Sequence, residues 1–335
     1  MAAASEKAIK QFAALMDQLE EPLKTTFQNV HQGYPRGTLV RFLKARDWSV
    51  PKAHKMLMDC LNWRIHNEID TVLSRPIVPS DLYKAIRDTL LVGLTGSSKQ
   101  GQPVYAFGVA LSTFDKASVN HYVQSHIQMN EYRDRVVLPA ASKRFGRQIS
   151  TCLKVMDMTG LKLSALSQIK MLTMITTVDD LNYPEKTETY YIVNAPYVFS
   201  ACWKVVKPLL QERTKKKIQV LYGSGRDELL KVMDYQSLPH FCKREGSGSS
   251  NESLDGVDCY SYDHPFHQQL YNYMKQQSLN QDFVGPTKQG SFHVDVPTPD
   301  LEEVKIVETI QSELHGLRGS NGLSHSFNRI KIEGP

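Results

Sequence analysis

The segment Tyr183–Gly223 contains two β-rich runs separated by a strongly apolar helical pattern, and few folds accommodate this combination. The first run, TYYIVNA, stops at Pro196, which cannot donate to a strand ladder, and the second run is KIQVLYG. Between them, residues 198–212 carry apolar side chains at helical spacing, more of them than a surface helix needs. Two strands joined through a helix are expected to lie parallel with a right-handed crossover, so the segment predicts an α/β fold.

The remainder of the chain fits the same class. From residue 80 onward, strand-like runs such as PVYAFGVAL and TCLKVMDM alternate with helical patterns, which is typical of a mainly parallel sheet covered by helices. Before that point the patterns are helical. They predict one helix over residues 5–30, a short second helix that carries Leu39, Val40, Phe42 and Leu43 and ends near Asp47, and a third helix that starts at Ser49, a favourable N-cap.

Three regions follow from these patterns: a helical lobe over residues 1–75, an α/β domain over 76–245, and a polar linker and tail over 246–335. The linker contains GSGSSNESLDG, a composition typical of flexible segments. A short amphipathic helix is predicted near 264–277, with its apolar face at Phe266, Leu270, Tyr273 and Met274.

The composition limits the compartment and the partners. The five cysteines are widely spaced and fit neither a zinc nor a disulfide pattern, which favours a reducing, cytoplasmic compartment and predicts no bound metal. No apolar run approaches the roughly 20 residues needed to cross a bilayer, and the first residues lack the apolar core of a signal peptide. The formal net charge of +5 fits an anionic membrane surface, nucleic acid or ordinary solvation.

Enzyme signatures are absent from the sequence. The Gly-Ser-Gly at 223–225 belongs to neither a nucleophile motif nor a phosphate loop, and we interpret it as the turn before a helix. No His-Glu-x-x-His occurs, and no cysteine is followed six residues later by the arginine of a cysteine phosphatase. Asp179 and Asp180 are interpreted as a helix end, because no histidine joins them at a diagnostic spacing. The sequence therefore predicts a protein that is not an enzyme.

Six spaced segments carry a resemblance to a known family. In chain order they are FLKARDWSVPKAHKMLMDCLNWR, GQPVY, EYRDRVVLPAAS, VMDMTGL, YPEKTETYYIVNAPYVFSACWKVVKPLL and KIQVLYG. Together they resemble the CRAL-TRIO family over residues 35–245, and within it the Sec-fourteen-like phosphatidylinositol/phosphatidylcholine transfer proteins. The resemblance implies a helical lobe on a mainly parallel sheet, with one phospholipid in an apolar cavity that is gated by a mobile helix at Val198–Glu212.

The resemblance also implies an inositol-headgroup site, made of Arg64, Glu185, Thr214 and Lys217. Lysine and arginine donate to phosphate oxygens, while threonine and glutamate can bond the hydroxyls of an inositol ring. The alternative for Arg64 and Glu185 is a salt bridge between the lobes.

A second headgroup site is implied at Tyr105, Tyr132, Cys152 and Lys154. The two tyrosines match an aromatic cage for choline, whereas Cys152 and Lys154 replace small hydroxyl residues of the family. Because a lysine repels choline, the second ligand stays open between phosphatidylcholine, another phospholipid and a different hydrophobic molecule. Ordinary core positions are the alternative for the tyrosines.

Two further groups of residues are expected to serve the lipid. The gate and acyl cavity would use Phe199, Val205, Val206, Leu209, Leu210, Met171, Met174 and Ile175. The membrane would be met by Trp203, Lys204, Lys207, Lys215 and Lys216. Plain core packing is the alternative for the first group, and solvation is the alternative for the lysines.

The sequence thus predicts a non-catalytic phospholipid-binding protein that works as a monomer in the cytoplasm and visits organelle membranes transiently. It would move phosphatidylinositol between membranes or present it to lipid kinases in phosphoinositide signalling, with a second lipid as its other ligand and with no cofactor or nucleic acid. One alternative is a lipid-gated regulatory scaffold whose tail recruits a partner. Another is a carrier of a different hydrophobic ligand without phosphatidylinositol binding. The missing motifs disfavour a hydrolase.

Overall fold

The computed structural model describes residues 2–162, 168–197, 212–243 and 258–280, together with the single positions 199, 203, 207, 305, 308 and 312. The N-terminal lobe contains helices α1 (Ala2–Met16), α2 (Leu23–His31), α3 (Pro35–Ala45) and α4 (Val50–His66). They pack around a core of fully buried side chains that includes Phe12, Phe42, Leu57 and Leu61. The apolar spacing of these helices therefore produces one shared interior.

The prediction of a single helix over residues 5–30 is wrong. The chain forms α1 and α2 instead, and Pro22 stands directly before α2. Proline has no N–H to donate to the preceding turn, so it cannot continue a helix but is tolerated where one begins. Ser49 does precede α4 as its N-cap, although its side chain makes no capping hydrogen bond.

The sheet has five strands in the order in which they occur in the chain: β1 (Val92–Ser97), β2 (Pro103–Gly108), β3 (Cys152–Asp157), β4 (Thr187–Val193) and β5 (Ile218–Val220). β1 and β2 pair antiparallel, and every other neighbouring pair is parallel. The mainly parallel sheet predicted from the sequence is thus confirmed. Since parallel strands in consecutive order use crossovers of one hand, the connecting helices collect on one face.

That face and its opposite carry different helices. In chain order the remaining helices are α5 (Ser80–Thr89), α6 (Val119–Tyr132), α7 (Leu138–Phe145), α8 (Ile169–Asn182), α9 (Glu212–Lys215), α10 (Arg226–Val232), α11 (His240–Lys243) and α12 (Pro265–Leu279). A π-helical turn, Arg133–Val137, joins α6 to α7. One core lies between the sheet and α6, α8 and α12, and another between the sheet and α10 and α11.

The C-terminal helix α12 is an integral part of the first core. Phe266, Leu270 and Met274 are buried there, and the helix packs against β1 and the 3₁₀ turn Ile69–Ser74. Tyr271 stacks on Tyr83 of α5 with ring centroids 4.5 Å apart. The sequence predicted the bounds of this helix to within a few residues, but it did not indicate which elements the helix packs against.

The apolar helix predicted between β4 and β5 lies mostly outside the described residues. On either side of it, Thr187–Val193 and Ile218–Val220 form the expected strands, and they pair with each other in parallel. Among the described residues, no helix combines the length and apolar character needed to span a lipid bilayer.

Candidate functional site

Glu185 and Lys217 meet at the amino ends of β4 and β5. Lys217 Nζ donates to Glu185 Oε2 over 2.6 Å, and both side chains are only partly exposed. Each residue stands just before its strand, so the parallel pairing of β4 with β5 brings them together. Glu185 adopts a φ of +58°, a left-handed conformation that costs free energy for a residue with a side chain. The fold thus holds this carboxylate in a strained position beside an ammonium group.

Thr214 belongs to the same turn as Lys217. The amide N–H of Lys217 donates to the carbonyl of Thr214 over 3.0 Å, and Thr214 is half-buried. Three of the four residues expected at the headgroup site, Glu185, Thr214 and Lys217, therefore lie in one region.

Arg64 lies in a different place, the interior between α4 and α6. Its Nη1 and Nη2 donate to the two carboxylate oxygens of Glu131 at 2.7 and 2.9 Å, and Nη2 also donates to Asp70 at 2.6 Å. Its side chain is 3% exposed. Burial alone raises the pKa of Glu131, but Arg64 and Arg135 outweigh it and lower that pKa to about 2. Arg64 thus forms a salt bridge between the helical lobe and the α/β domain, but its partner is Glu131 and not Glu185, the partner considered in the sequence analysis.

A cleft of about 730 Å³ opens beside Glu185 and Lys217. One wall comes from α3 and the turn before it, including Tyr34, Arg41 and Lys44, and the other comes from the amino ends of β3, β4 and β5. Ligands of open α/β sheets usually bind at the carboxyl ends of strands, where the strand order reverses. Here the order is consecutive, and the described cleft lies at the opposite end, between the sheet and the helical lobe.

Two arginines converge near this cleft. The sequence did not single out Arg46, and it indicated Arg213 only as a possible contact with anionic membrane headgroups. Ala45, the last residue of α3, accepts hydrogen bonds through its carbonyl from Arg46 Nη1 at 2.9 Å and from Arg213 Nη1. Arg213 Nε also lies 4.0 Å from Glu185 Oε1. Carbonyl groups at a helix C-terminus attract cations. The basic runs KAR and RTKKK in the sequence were therefore the signal from which this contact could have been predicted.

Two residues expected at the second headgroup site, Tyr105 and Tyr132, are buried core residues. Phe266 of α12 packs against both rings, with centroid distances of 6.1 and 6.3 Å. Cys152 is also fully buried, and its thiol donates to the carbonyl of Lys186 over 3.4 Å.

Lys154 pairs in register with Tyr105, and its ammonium group sits in an aromatic setting. Nζ lies 5.3 Å from the ring centroid of Phe107 and 5.6 Å from that of Tyr190. It also lies 3.5 Å from Asp179 Oδ2. Burial alone lowers the pKa of Lys154, but Tyr190 and Asp179 outweigh it, and the pKa is raised. The rings of Phe107 and Tyr190 therefore already contact a cation, the ammonium group of Lys154.

Asp179 does lie in the last turn of α8, but a histidine joins it from α6. His126 Nε2 is 2.7 Å from Asp179 Oδ1, and Asn130 donates to the same oxygen over 2.7 Å. His126 and Lys154 outweigh the effect of burial and lower the pKa of Asp179. The absence of a diagnostic spacing in the sequence did not exclude this contact, because it spans two separate helices.

Among the residues expected at the gate and cavity, Met171 and Ile175 are buried and Met174 is half-buried in the first core. Phe199 is buried against Met158 and Ile192. Four other members lie outside the described residues: Val205, Val206, Leu209 and Leu210.

Among the residues expected at the membrane, Trp203 stacks on Phe199 with centroids 5.8 Å apart. Lys207 and Lys216 are exposed, and Lys215 bonds Glu212 over 2.7 Å. Lys204 lies outside the described residues.

One group of possible metal ligands occurs in the described part of the chain. His240, Asp258 and Cys259 each place one ligand atom within 4.8 Å of the others. The Cys259 thiol is buried, which raises its pKa to about 12, and it lies 3.3 Å from His240 Nδ1. A hydrogen bond between thiol and imidazole accounts for this distance without a metal.

Comparison with known proteins identifies two domains in the chain. The CRAL/TRIO domain matches residues 87–243, and the N-terminal CRAL/TRIO domain matches residues 8–59. A SEC14 cytosolic factor from Eremothecium gossypii is 30% identical over 231 residues, which cover 66% of this chain and 72% of that protein.

Other matches extend to a plant relative and a solved structure. The phosphatidylinositol/phosphatidylcholine transfer protein SFH9 of Arabidopsis thaliana is 28% identical over 221 residues, which cover 62% of this chain but only 38% of SFH9. The crystal structure of Sfh5 aligns with a TM-score of 0.52 at 18% identity, over 81% of this chain and 97% of that one. The last match concerns the fold alone.

Proposed function

Because the chain belongs to the CRAL/TRIO family, we propose that it is a non-catalytic lipid-binding protein that transfers phosphatidylinositol between membranes or presents it to lipid kinases. Relatives named as transfer proteins for this lipid support the choice of phosphatidylinositol. The protein would act in the cytoplasm and contact organelle membranes transiently, within phosphoinositide signalling.

The ion pair of Glu185 and Lys217 at the cleft is the observation that carries this proposal. An ammonium group donates to phosphate oxygens, and a carboxylate accepts from the hydroxyls of an inositol ring. In the structure the Lys217 ammonium group and the Glu185 carboxylate form a salt bridge, so each charge has a partner of opposite sign. Thr214 adds a hydroxyl in the same turn.

Arg46 and Arg213 are proposed to take the part in phosphate binding that the resemblance assigned to Arg64. Both guanidinium groups reach the Ala45 carbonyl, so they place two planar sets of donors close together for a phosphodiester. Arg64, by contrast, is already satisfied by two carboxylates.

The acyl chains require an apolar interior. Two chains contain about 30 methylenes, and each costs about 0.8 kcal/mol on transfer to water. We propose that Met171, Ile175 and Phe199 line part of this interior, and that Trp203 with the exposed lysines guides the gate to a membrane. Phosphatidylcholine is disfavoured as the second lipid, because Lys154 places a positive charge between Phe107 and Tyr190.

Mass spectrometry of the lipid that co-purifies with the full chain tests the proposal. Wild-type protein should carry phosphatidylinositol, and Glu185→Gln combined with Lys217→Met should lose it. The matched control is Glu228→Gln with Lys231→Met, which removes an ion pair of the same 2.6 Å length from α10. Recovery of only a sterol or another apolar molecule from the wild type would overturn the proposal.

A further inference from the structure

A small recess of about 40 Å³, lined by both polar and apolar residues, adjoins the cleft. The two spaces share Arg41 as a lining residue, and Arg41 is 8% exposed. Glu185 lines the cleft, while its neighbour Lys186 lines the recess. A ligand that reaches Glu185 is therefore close to the entrance of the recess.

Positive charge exceeds negative charge in this recess. Among its described lining residues, Arg41 is a permanent cation, Lys186 is an amine, His31 is an imidazole and Asp134 is the carboxylate. Lys186 Nζ lies 2.9 Å from Asp134 Oδ2, but Arg133 Nε already binds the other oxygen of Asp134 at 2.8 Å. Asp134 is thus shared by Lys186 and Arg133, and Arg41 is stabilised by the charges of Asp134 and Glu185.

The remaining donors of these side chains are poorly used. Arg41 donates from Nη1 to the Pro184 carbonyl at 3.2 Å and from Nη2 to Thr38 at 3.0 Å, both neutral acceptors. Arg133 does not line the recess but is the neighbour of Asp134 in the chain, and its buried Nη2 has no hydrogen-bond partner among the described residues. Burial, together with the charge of Arg41, lowers the pKa of Lys186 to about 7 despite its contact with Asp134. Buried cations that share one nearby carboxylate are costly, so the group favours an added anion.

We propose that this recess is an anion subsite that takes a phosphate monoester, so that the cleft accepts an inositol ring carrying a second phosphate. Arg41 offers a planar fork for phosphate and Lys186 offers a compact charge. The identification of the ligand as an inositol phosphate rests on the proposed function, which places the inositol ring beside Glu185. The anion subsite is independent of that function, since a free phosphate ion has the same chemistry as a phosphate monoester.

Isothermal titration of the full chain distinguishes these sources. The probes are inositol monophosphate, inositol bisphosphate and inorganic phosphate. Two charge-assisted hydrogen bonds should make the bisphosphate bind about tenfold more tightly than the monophosphate, or better. Lys186→Met should reduce that ratio to near one, and Lys186→Arg should retain most of it. Lys52→Met, which removes one charge from the exposed surface of α4, should leave the ratio intact.

Each result decides between the claims. Equal affinity for the two inositol phosphates together with no binding of inorganic phosphate would overturn the subsite. Binding of inorganic phosphate that depends on Lys186, without a gain for the bisphosphate, would overturn the ring phosphate and leave a site for free phosphate. If phosphatidylinositol never co-purifies but phosphate binding depends on Lys186, the proposed function fails and the subsite stands. Should Lys186→Met not fold, Arg41→Lys removes the guanidinium fork and keeps the charge.

Discussion

Arg64 and Glu131 form a two-pronged ion pair that joins the helical lobe to α6, with hydrogen bonds of 2.7 and 2.9 Å. Both side chains are 3% exposed, so neither charge has water to replace its partner. Removing one partner of such a pair leaves an uncompensated charge in the interior. The pair is therefore expected to matter for stability.

Arg64→Ala should lower the free energy of unfolding by about 2–3 kcal/mol, because the buried carboxylate of Glu131 loses two charge-assisted hydrogen bonds and keeps only Arg135, at 2.7 Å, as its counter-charge. Urea denaturation of the full chain measures this loss. Arg36→Ala is the control, since Arg36 pairs with Glu6 on the exposed surface and should change stability little. Wild-type stability in Arg64→Ala with loss of bound phosphatidylinositol would instead return Arg64 to the headgroup site.

His267 of α12 predicts a pH-dependent stability. Burial and the charge of Arg87 lower its pKa from 6.5 to about 3. As the pH falls, His267 is protonated in the unfolded protein before it is protonated in the folded one. The free energy of unfolding is therefore unaffected by the titration of His267 above pH 6.5. It decreases as the pH falls from 6.5 toward 3, by no more than about 1.4 kcal/mol per pH unit.

Denaturation curves between pH 5 and 7 test this, a range above the window in which the buried carboxylates of Glu131, Asp134 and Asp179 titrate. His267→Gln should flatten the slope relative to the wild type. An equal slope in both proteins would show that groups other than His267 cause the pH dependence of stability.

Lys154→Thr should increase the share of phosphatidylcholine among the bound lipids several-fold. The change removes the ammonium from between Phe107 and Tyr190 and frees their faces for a quaternary ammonium, a contact worth about 1 kcal/mol or more. Lipid loading from mixed vesicles, followed by mass spectrometry, measures the ratio. Lys154→Arg keeps the charge and should keep the wild-type ratio, and an unchanged ratio in Lys154→Thr would show that Lys154 does not select the ligand.

Gly93→Ala should weaken the docking of the C-terminal segment. A Cβ atom at Gly93 would lie 2.2 Å from the carbonyl oxygen of Cys259, a backbone atom that cannot move aside cheaply. The expected loss of stability is about 1–3 kcal/mol. Hydrogen exchange of α12 should accelerate at the same time.

Gly37→Ala is the matched control for this change. Its added Cβ would meet only the flexible side chain of Gln148, at 2.8 Å. If the two variants lose equal stability, the contact with Cys259 is not the cause.

The sequence predicted the architecture well because each element carries its own pattern. The alternation of strand and helix patterns after residue 80 predicted the parallel strands, and the strands on either side of 198–211 were both found. Pro22 was the local signal that the prediction of one helix over 5–30 overlooked. Errors of this kind concern where a helix ends, which short-range patterns specify weakly.

The resemblance grouped Glu185 with Lys217, and their role at a headgroup site stays a prediction. Glu185 and Lys217 each precede a strand, so strand pairing brings them together. Arg64 and Glu131 are separated by 67 positions and belong to different helices, and no pattern along the chain specifies such a pair. The packing of Phe266 on Tyr105 was missed for the same reason, since an apolar helical face does not name its partner.

The strand order also determines when the Glu185–Lys217 pair can form. β5 hydrogen-bonds only to β4 within the described sheet, and it contains just the three residues Ile218–Val220. Lys217 therefore reaches Glu185 only when this short edge strand has added to β4. During synthesis this pair is assembled late, after the rest of the sheet has left the ribosome. Any ligand of the proposed headgroup site would therefore stabilise only molecules in which β5 has already added to the sheet.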